Sequence, residues 1–183
     1  VSESKMVSGA EPVESMTNKQ KLGILVVLAT SSYLLYAVGK YWLADVRYAE
    51  GQKHTQFFQK TQNSQYLLSA YNNYSRAYQL NRGEPAIASE YAVSAAFLSA
   101  AIAAKDPEAA TQLAQQSLSL SQISISISPR HPNYYKSRAR TLILLSDFDP
   151  KFLKLAAEAL AKATQISPTD PRIPYNLGII YKY

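Results

Sequence analysis

Hydrophobic and polar positions follow two different patterns along the chain. From Leu22 to Val38 nearly every residue is apolar or weakly polar, and no charged residue occurs between Leu22 and Gly39. Further on, apolar residues recur at helical spacing and are interrupted by short polar turns that carry proline. The first pattern predicts one long apolar helix, and the second a series of amphipathic helices. One stretch, Leu118-Ser-Leu-Ser-Gln-Ile-Ser-Ile-Ser-Ile127, alternates with period two in places, as a strand would. The strong helix formers in Glu108–Ser117 lead straight into it, so helix is the expected state there.

Leu22 to Leu43 as a helix would extend about 33 Å at 1.5 Å per residue, close to the thickness of a bilayer core. Lys40 lies near its end, where a long side chain can snorkel. Tyr33, Tyr36, Tyr41 and Trp42 crowd its C-terminal half like an interfacial aromatic belt. A transmembrane helix over 21–43 is therefore expected. A buried core helix and a cleaved signal peptide are the alternatives. The first usually keeps a polar stripe, and the second a shorter apolar run with fewer tyrosines. Lys5, Lys19 and Lys21 precede the segment while Lys40, Arg47 and Lys53 follow it, so charge bias sets no orientation. Residues 1–20, rich in Ser, Glu, Gly and Pro, read as a flexible polar leader or loop.

Residues 44–183 contain three similar junctions: Leu80-Asn-Arg-Gly-Glu-Pro85, Ile127-Ser-Pro-Arg-His-Pro132 and Ile166-Ser-Pro-Thr-Asp-Pro171. Each predicts a helix end, a tight turn, and a proline in the first turn of the next helix, where its missing N–H costs nothing. Ala70, Tyr74, Ala77 and Leu80 correspond to Ala156, Leu160, Ala163 and Ile166 at a constant shift of 86. Tyr91, Ala92 and Ala95 correspond to Leu177, Gly178 and Tyr181 at the same shift. Small residues alternating with large ones on one face suit close helix packing in a stacked array. Ala156, Leu160, Ala163, Pro168, Leu177, Gly178 and Tyr181 fall where the tetratricopeptide (TPR) pattern places its packing residues, and the region resembles that family. Arg82 stands where the pattern has proline, and Pro174 where it has a large aromatic. Together with the apolar segment, the resemblance gives the expected fold as all-α: one transmembrane helix followed by a TPR-like helical-repeat array. The chain stops at Tyr183, one helix into its last unit, and begins with Val1. It is therefore expected to be a segment of a longer protein, with the array truncated at its C-terminus.

The stretch Tyr41-Trp-Leu-Ala-Asp-Val-Arg-Tyr-Ala-Glu-Gly51 carries Ala44, Asp45, Tyr48 and Gly51 in an Ala-Asp-x-x-Tyr-x-x-Gly run. With Tyr134-Tyr-Lys-Ser-Arg-Ala-Arg140 and Pro168-Thr-Asp-Pro171, it resembles the C-terminal region of bacterial O-antigen ligase/polymerase-like membrane proteins. That resemblance implies a parent enzyme moving glycans from a lipid-pyrophosphate carrier, in which this segment is non-catalytic. It also implies a bacterial cell-membrane location with the repeats extracytoplasmic, where they bind an acceptor or partner or brace the enzyme. A single-span, membrane-anchored TPR adaptor for protein–protein interactions is the alternative.

Composition narrows the chemistry. The 183 residues include no cysteine, which excludes disulfide staples and thiolate metal sites. His54 and His131 stand apart, with no ligand or nucleophile–base spacing around them, and the six glycines form no phosphate loop. No catalytic residue, metal or cofactor is expected. The net charge of +6 is spread too thinly for a phosphate-tracking stripe, which argues against nucleic acid. The densest basic cluster, with Arg130, His131, Tyr134, Tyr135, Lys136, Arg138 and Arg140, has two readings. It is a solvated helix face with packing tyrosines, or a contact for anionic headgroups or a charged glycan through Arg130, Tyr134, Tyr135, Lys136 and Arg140. The expected partners are the membrane through Leu22–Leu43 and a protein or glycan on the repeats. The fourteen tyrosines are expected mostly in the core or along a groove, with their hydroxyls at a wet edge.

Overall fold

A computed structural model describes residues 16–180, which form seven α-helices and no strand among them. They are α1 (Asn18–Thr61), α2 (Ser64–Leu80), α3 (Pro85–Ile102), α4 (Pro107–Ile127), α5 (Pro132–Leu144), α6 (Lys151–Ile166) and α7 (Arg172–Ile180). The chain divides into two compact units, residues 1–38 and 39–183.

The first unit holds the start of α1. A capping box opens the helix: the Thr17 N–H donates to Gln20 Oε1 at 2.8 Å, and the Gln20 N–H returns to Thr17 Oγ1 at 3.4 Å. Along this stretch the large apolar side chains are exposed on all sides, Leu25 at 65%, Val27 at 63% and Leu35 at 73%. Thr30 donates its hydroxyl to the Val26 carbonyl at 2.9 Å, so this polar group is satisfied within its own helix. None of the most apolar part of this stretch is buried, unlike a core helix.

In the second unit the helices pair through short turns that proline and side-chain caps define. Pro85, Pro107 and Pro132 each occupy the first turn of a helix. Asn63, Glu84 and Asp106 accept hydrogen bonds from the N–H groups of Gln65, Ala86 and Ala109 at 2.9, 3.2 and 3.0 Å. Gln62 closes α1 with φ of 55°, and its N–H reaches the Phe58 carbonyl at 2.8 Å. Pro174 lies within the first turn of α7, where it removes no ladder hydrogen bond.

Small residues set how closely these helices approach. Ala44, Ala77 and Ile87 form one buried cluster with Tyr48 and Tyr78 against it. Gly51 lies against the Tyr74 ring, where an added Cβ would stand 2.6 Å from its Cε1. The most extensive pairing joins α3 to α4. Ala88, Ala92, Ala95, Ala96 and Ser99 are buried on α3, and Ala110, Ser117, Ser121 and Ser124 on α4. Ser99 Oγ donates across the interface to the Ala110 carbonyl at 2.7 Å. Ser117, Ser121 and Ser124 each donate to a carbonyl three residues back, at 2.8, 2.9 and 2.9 Å. Their hydroxyls are thus satisfied inside α4, which is how the alternating Leu–Ser and Ile–Ser stretch buries serine in a helix rather than pairing as a strand. α3 also packs on α5, so successive helical hairpins stack. A last cluster, with Ala139, Leu142, Ala156, Leu160, Ala163 and Ile173, joins α5, α6 and α7.

Candidate functional site

The stacking leaves a groove lined by α5 with parts of α3, α6 and α7. Its main cavity has a volume of about 560 Å³. Ala139, Ile143, Leu144, Leu160 and Ile180 form the apolar wall. Glu90, Asn133, Lys136, Ser137, Arg140 and Asn176 bring polar groups to it. A second hollow of about 170 Å³ lies between Tyr48 on α1, Ser89 and Glu90 on α3, and Tyr134 and Ser137 on α5. A narrow cleft between Phe58, Phe97 and Arg140 also reaches Glu90. Glu90 therefore borders all three spaces. It is the one charged residue of Pro85–Ile102, a signal visible in the sequence that reading by clusters passes over.

Helical periodicity puts Lys136 and Arg140 on one face of α5, where both line the groove, and turns Arg138 away from it. Lys136 Nζ meets Asp170 Oδ2 at 3.1 Å in the α6–α7 turn. Asp170 also takes Nε and Nη2 of Arg172 at 2.9 and 3.1 Å. The Arg172 and Lys136 hydrogen bonds hold its carboxyl well below the usual carboxylate range. Arg138 Nη1 donates to Ser121 Oγ at 3.0 Å, and burial lowers the guanidinium's pKa. The Arg140 guanidinium lies over the Phe97 ring at 5.0 Å, and Phe97 meets Phe58 edge-on at 5.6 Å. Burial raises the Glu90 carboxyl, and the positive field of Arg140 opposes that rise. Tyr48 is pushed up to about 12, chiefly by burial and next by Glu90.

The basic and aromatic residues marked in the sequence are thus dispersed. Lys136 and Arg140 line the main groove and Tyr134 the smaller hollow. Tyr135 donates to the Pro129 carbonyl at 3.0 Å and packs against the α5–α7 core, while Arg130 is exposed in the α4–α5 turn. Of the residues marked for repeat packing, Ala70, Tyr74, Ala77, Ala156, Leu160 and Ala163 are buried. Leu177 is partly buried against the last cluster. Pro168 is exposed in a turn, Gly178 is open with nothing within 4 Å of an added Cβ, and Tyr181 lies outside the described residues. Asn133, Asn176, Phe58 and Phe97 join the site only because helices distant in sequence converge on it. No group of three His, Cys, Asp or Glu side chains able to hold a metal occurs among the described residues.

Tyrosine hydroxyls form a second network away from the groove. Gln116 Nε2 donates to Tyr91 Oη at 2.8 Å, Tyr91 Oη donates to Tyr71 Oη at 3.4 Å, and Tyr71 Oη donates to Gln116 Oε1 at 3.0 Å. This closed ring ties α2, α3 and α4 together, and burial raises the Tyr71 pKa.

No family model matches the sequence, and no curated protein matches it. Among solved structures, the chain is similar to the first TPR of Spaghetti (RPAP3) bound to the HSP90 peptide SRMEEVD. The TM-score is 0.55 at 13% identity, over 77% of this chain and 94% of that one. The likeness at that identity is one of fold, and the fold of this chain is a TPR-like helical-repeat array.

Proposed function

We propose that this chain is a membrane-anchored TPR module whose groove holds a segment of another protein. The groove carries the reading: its cavity of about 560 Å³ combines an apolar wall with a few convergent polar groups. The TPR domain it resembles is bound to a peptide, which supports the same use here. Anchoring is supported by the stretch after Asn18, whose most apolar window has a mean hydropathy of 1.9 and no buried residue.

The finer reading places the module in the C-terminal region of an O-antigen ligase/polymerase-like glycosyltransferase, on the extracytoplasmic side of a bacterial membrane. The Ala44–Gly51 run and the order of apolar helix followed by repeats support it. In that setting the repeats hold a protein or glycan partner or brace the enzyme. The expected domain limits are a leader over 1–20, a membrane helix over 21–43 and repeats over 44–183.

A photo-crosslinking residue at Ser137, in the groove, should capture the partner, and one at Gln122, exposed on α4, should not. Equal capture at both would overturn the groove reading. Alkaline carbonate should leave the chain in the membrane fraction and release a form lacking residues 16–38. A cysteine at Gln122 should react with an impermeant thiol reagent in intact cells if the repeats are outside, and only after lysis if they are inside. Coding sequence ahead of Val1 with several further apolar spans and a long loop bearing Arg and His would support the glycosyltransferase parent. A start codon within a few tens of residues would leave the single-span adaptor.

A further inference from the structure

The geometry points to a basic side chain, lysine or arginine, as the group that the partner segment inserts beside Glu90. This rests on the groove being a peptide site. Glu90 borders all three spaces of the groove face, on a helix otherwise made of small and apolar residues. Among the described residues no ion pair holds its carboxylate. Among the described residues no hydrogen bond reaches it either, and burial and the field of Arg140 are what act on it. A partly desolvated carboxylate without a donor is costly, and an entering cation offsets that cost.

Of the two groove cations, one is paired with a carboxylate, and the other is stacked on a ring and competes for Glu90 only through its field. Lys136 is held by Asp170 at 3.1 Å, and the Arg140 guanidinium rests on the Phe97 ring at 5.0 Å. An acidic side chain entering here would put a second negative charge beside Glu90 in a low-dielectric wall. A lysine or arginine would instead lay its aliphatic stem along Ile143, Leu144, Leu160 and Ile180 and present its charged end to the carboxylate.

The test uses the full 183-residue chain in detergent micelles, with Ile and Leu methyl groups labelled for NMR. The probes are three acetylated, amidated pentapeptides, Ser-Leu-X-Leu-Ser, with X as Lys, Glu or Gln. The Lys probe should shift the Ile143, Leu144, Leu160 and Ile180 methyls, and should do so at lower concentration than the other two. Glu90→Gln should weaken it on the order of tenfold, as expected for a lost charge-assisted hydrogen bond. Arg140→Gln should strengthen it, because a competing cation is gone. Unchanged circular dichroism and an undiminished Tm in each variant keep misfolding apart from lost binding. If the Glu or Gln probe binds the groove as tightly as the Lys probe, or if Arg140→Gln abolishes binding, the basic-residue inference falls and the groove reading stands. Methyl shifts in none of the three titrations would sink both.

Discussion

Among the described residues, two helices are long and apolar enough to cross a membrane, and they behave in opposite ways. The apolar part of α1 reaches a mean hydropathy of 1.9 and is not buried, whereas α3 reaches 1.3 and has 56% of its window buried. The difference lies in side-chain size and distribution. α3 is built from alanine and serine, which let α4 and α5 approach its backbone closely. The stretch from Leu22 to Val38 carries Leu, Ile, Val and Tyr all round, and no described residue covers them. Such a helix in water would expose far more contiguous apolar surface than the few hundred Å² usual for a soluble monomer. Average hydropathy thus flags both helices, and the small-residue face separates a packed core helix from one suited to lipid.

The strongest way to break this comparison is to place the same charge on both helices. Ala92 is fully buried, so Ala92→Arg should abolish the cooperative thermal transition of the repeats, followed by circular dichroism, because an unpaired charge would be buried at a cost of several kcal/mol. Leu28 is 61% exposed, so Leu28→Arg should leave that transition within about 0.5 kcal/mol of its original stability. It should instead cost about 2.5–3.5 kcal/mol of membrane insertion, read as loss from the carbonate-resistant fraction. Equal damage to the thermal transition from both substitutions would refute the distinction.

Close approach has its own test. Gly51→Ala places a Cβ 2.6 Å from Tyr74 Cε1, so it should destabilise the repeats by about 1–3 kcal/mol, measured by urea unfolding. Gly23→Ala, with nothing within 4 Å, should be neutral or slightly stabilising.

Glu90 tests what a charge costs inside a packed array. Burial raises its carboxyl, so the folded chain keeps this proton to higher pH than the unfolded chain does. Its ionised form therefore costs stability at pH 7, and its protonated form does not. Glu90→Gln should raise the Tm at pH 7, and the gain should shrink as pH falls toward and below the ordinary value of 4.5. A pH-independent gain would exclude ionisation as its cause. The smallest effect is expected at Ser117→Ala. The hydroxyl only back-bonds its own helix at 2.8 Å, so the change should stay within about 0.5 kcal/mol.

The hairpin junctions were legible before any tertiary structure, because Pro85 and Pro132 declare helix starts by their own backbone chemistry. The small–large alternation through Ala70, Tyr74 and Ala77 likewise marks a packing face, and all three residues are exposed by 1% or less. The groove was far less legible. The basic cluster of α5 reads as one patch along the sequence, yet 100° per residue turns Arg138 to Ser121 on α4, and the packing of neighbouring helices gives Lys136 and Arg140, on one face, the separate partners Asp170 and Phe97. Asn176 and Phe58 contribute from helices more than a hundred residues apart, and no local pattern links them.

The sequence by itself determined the all-α class, the turns, the repeat spacing and the bilayer-length apolar helix, because capping, proline geometry and periodicity act within a few residues. Only the tertiary structure decided that α3 is covered while the start of α1 is not, since both satisfy the same local rule. It alone brought Glu90 between an apolar wall and a guanidinium, because which side chains share a groove depends on how the hairpins stack.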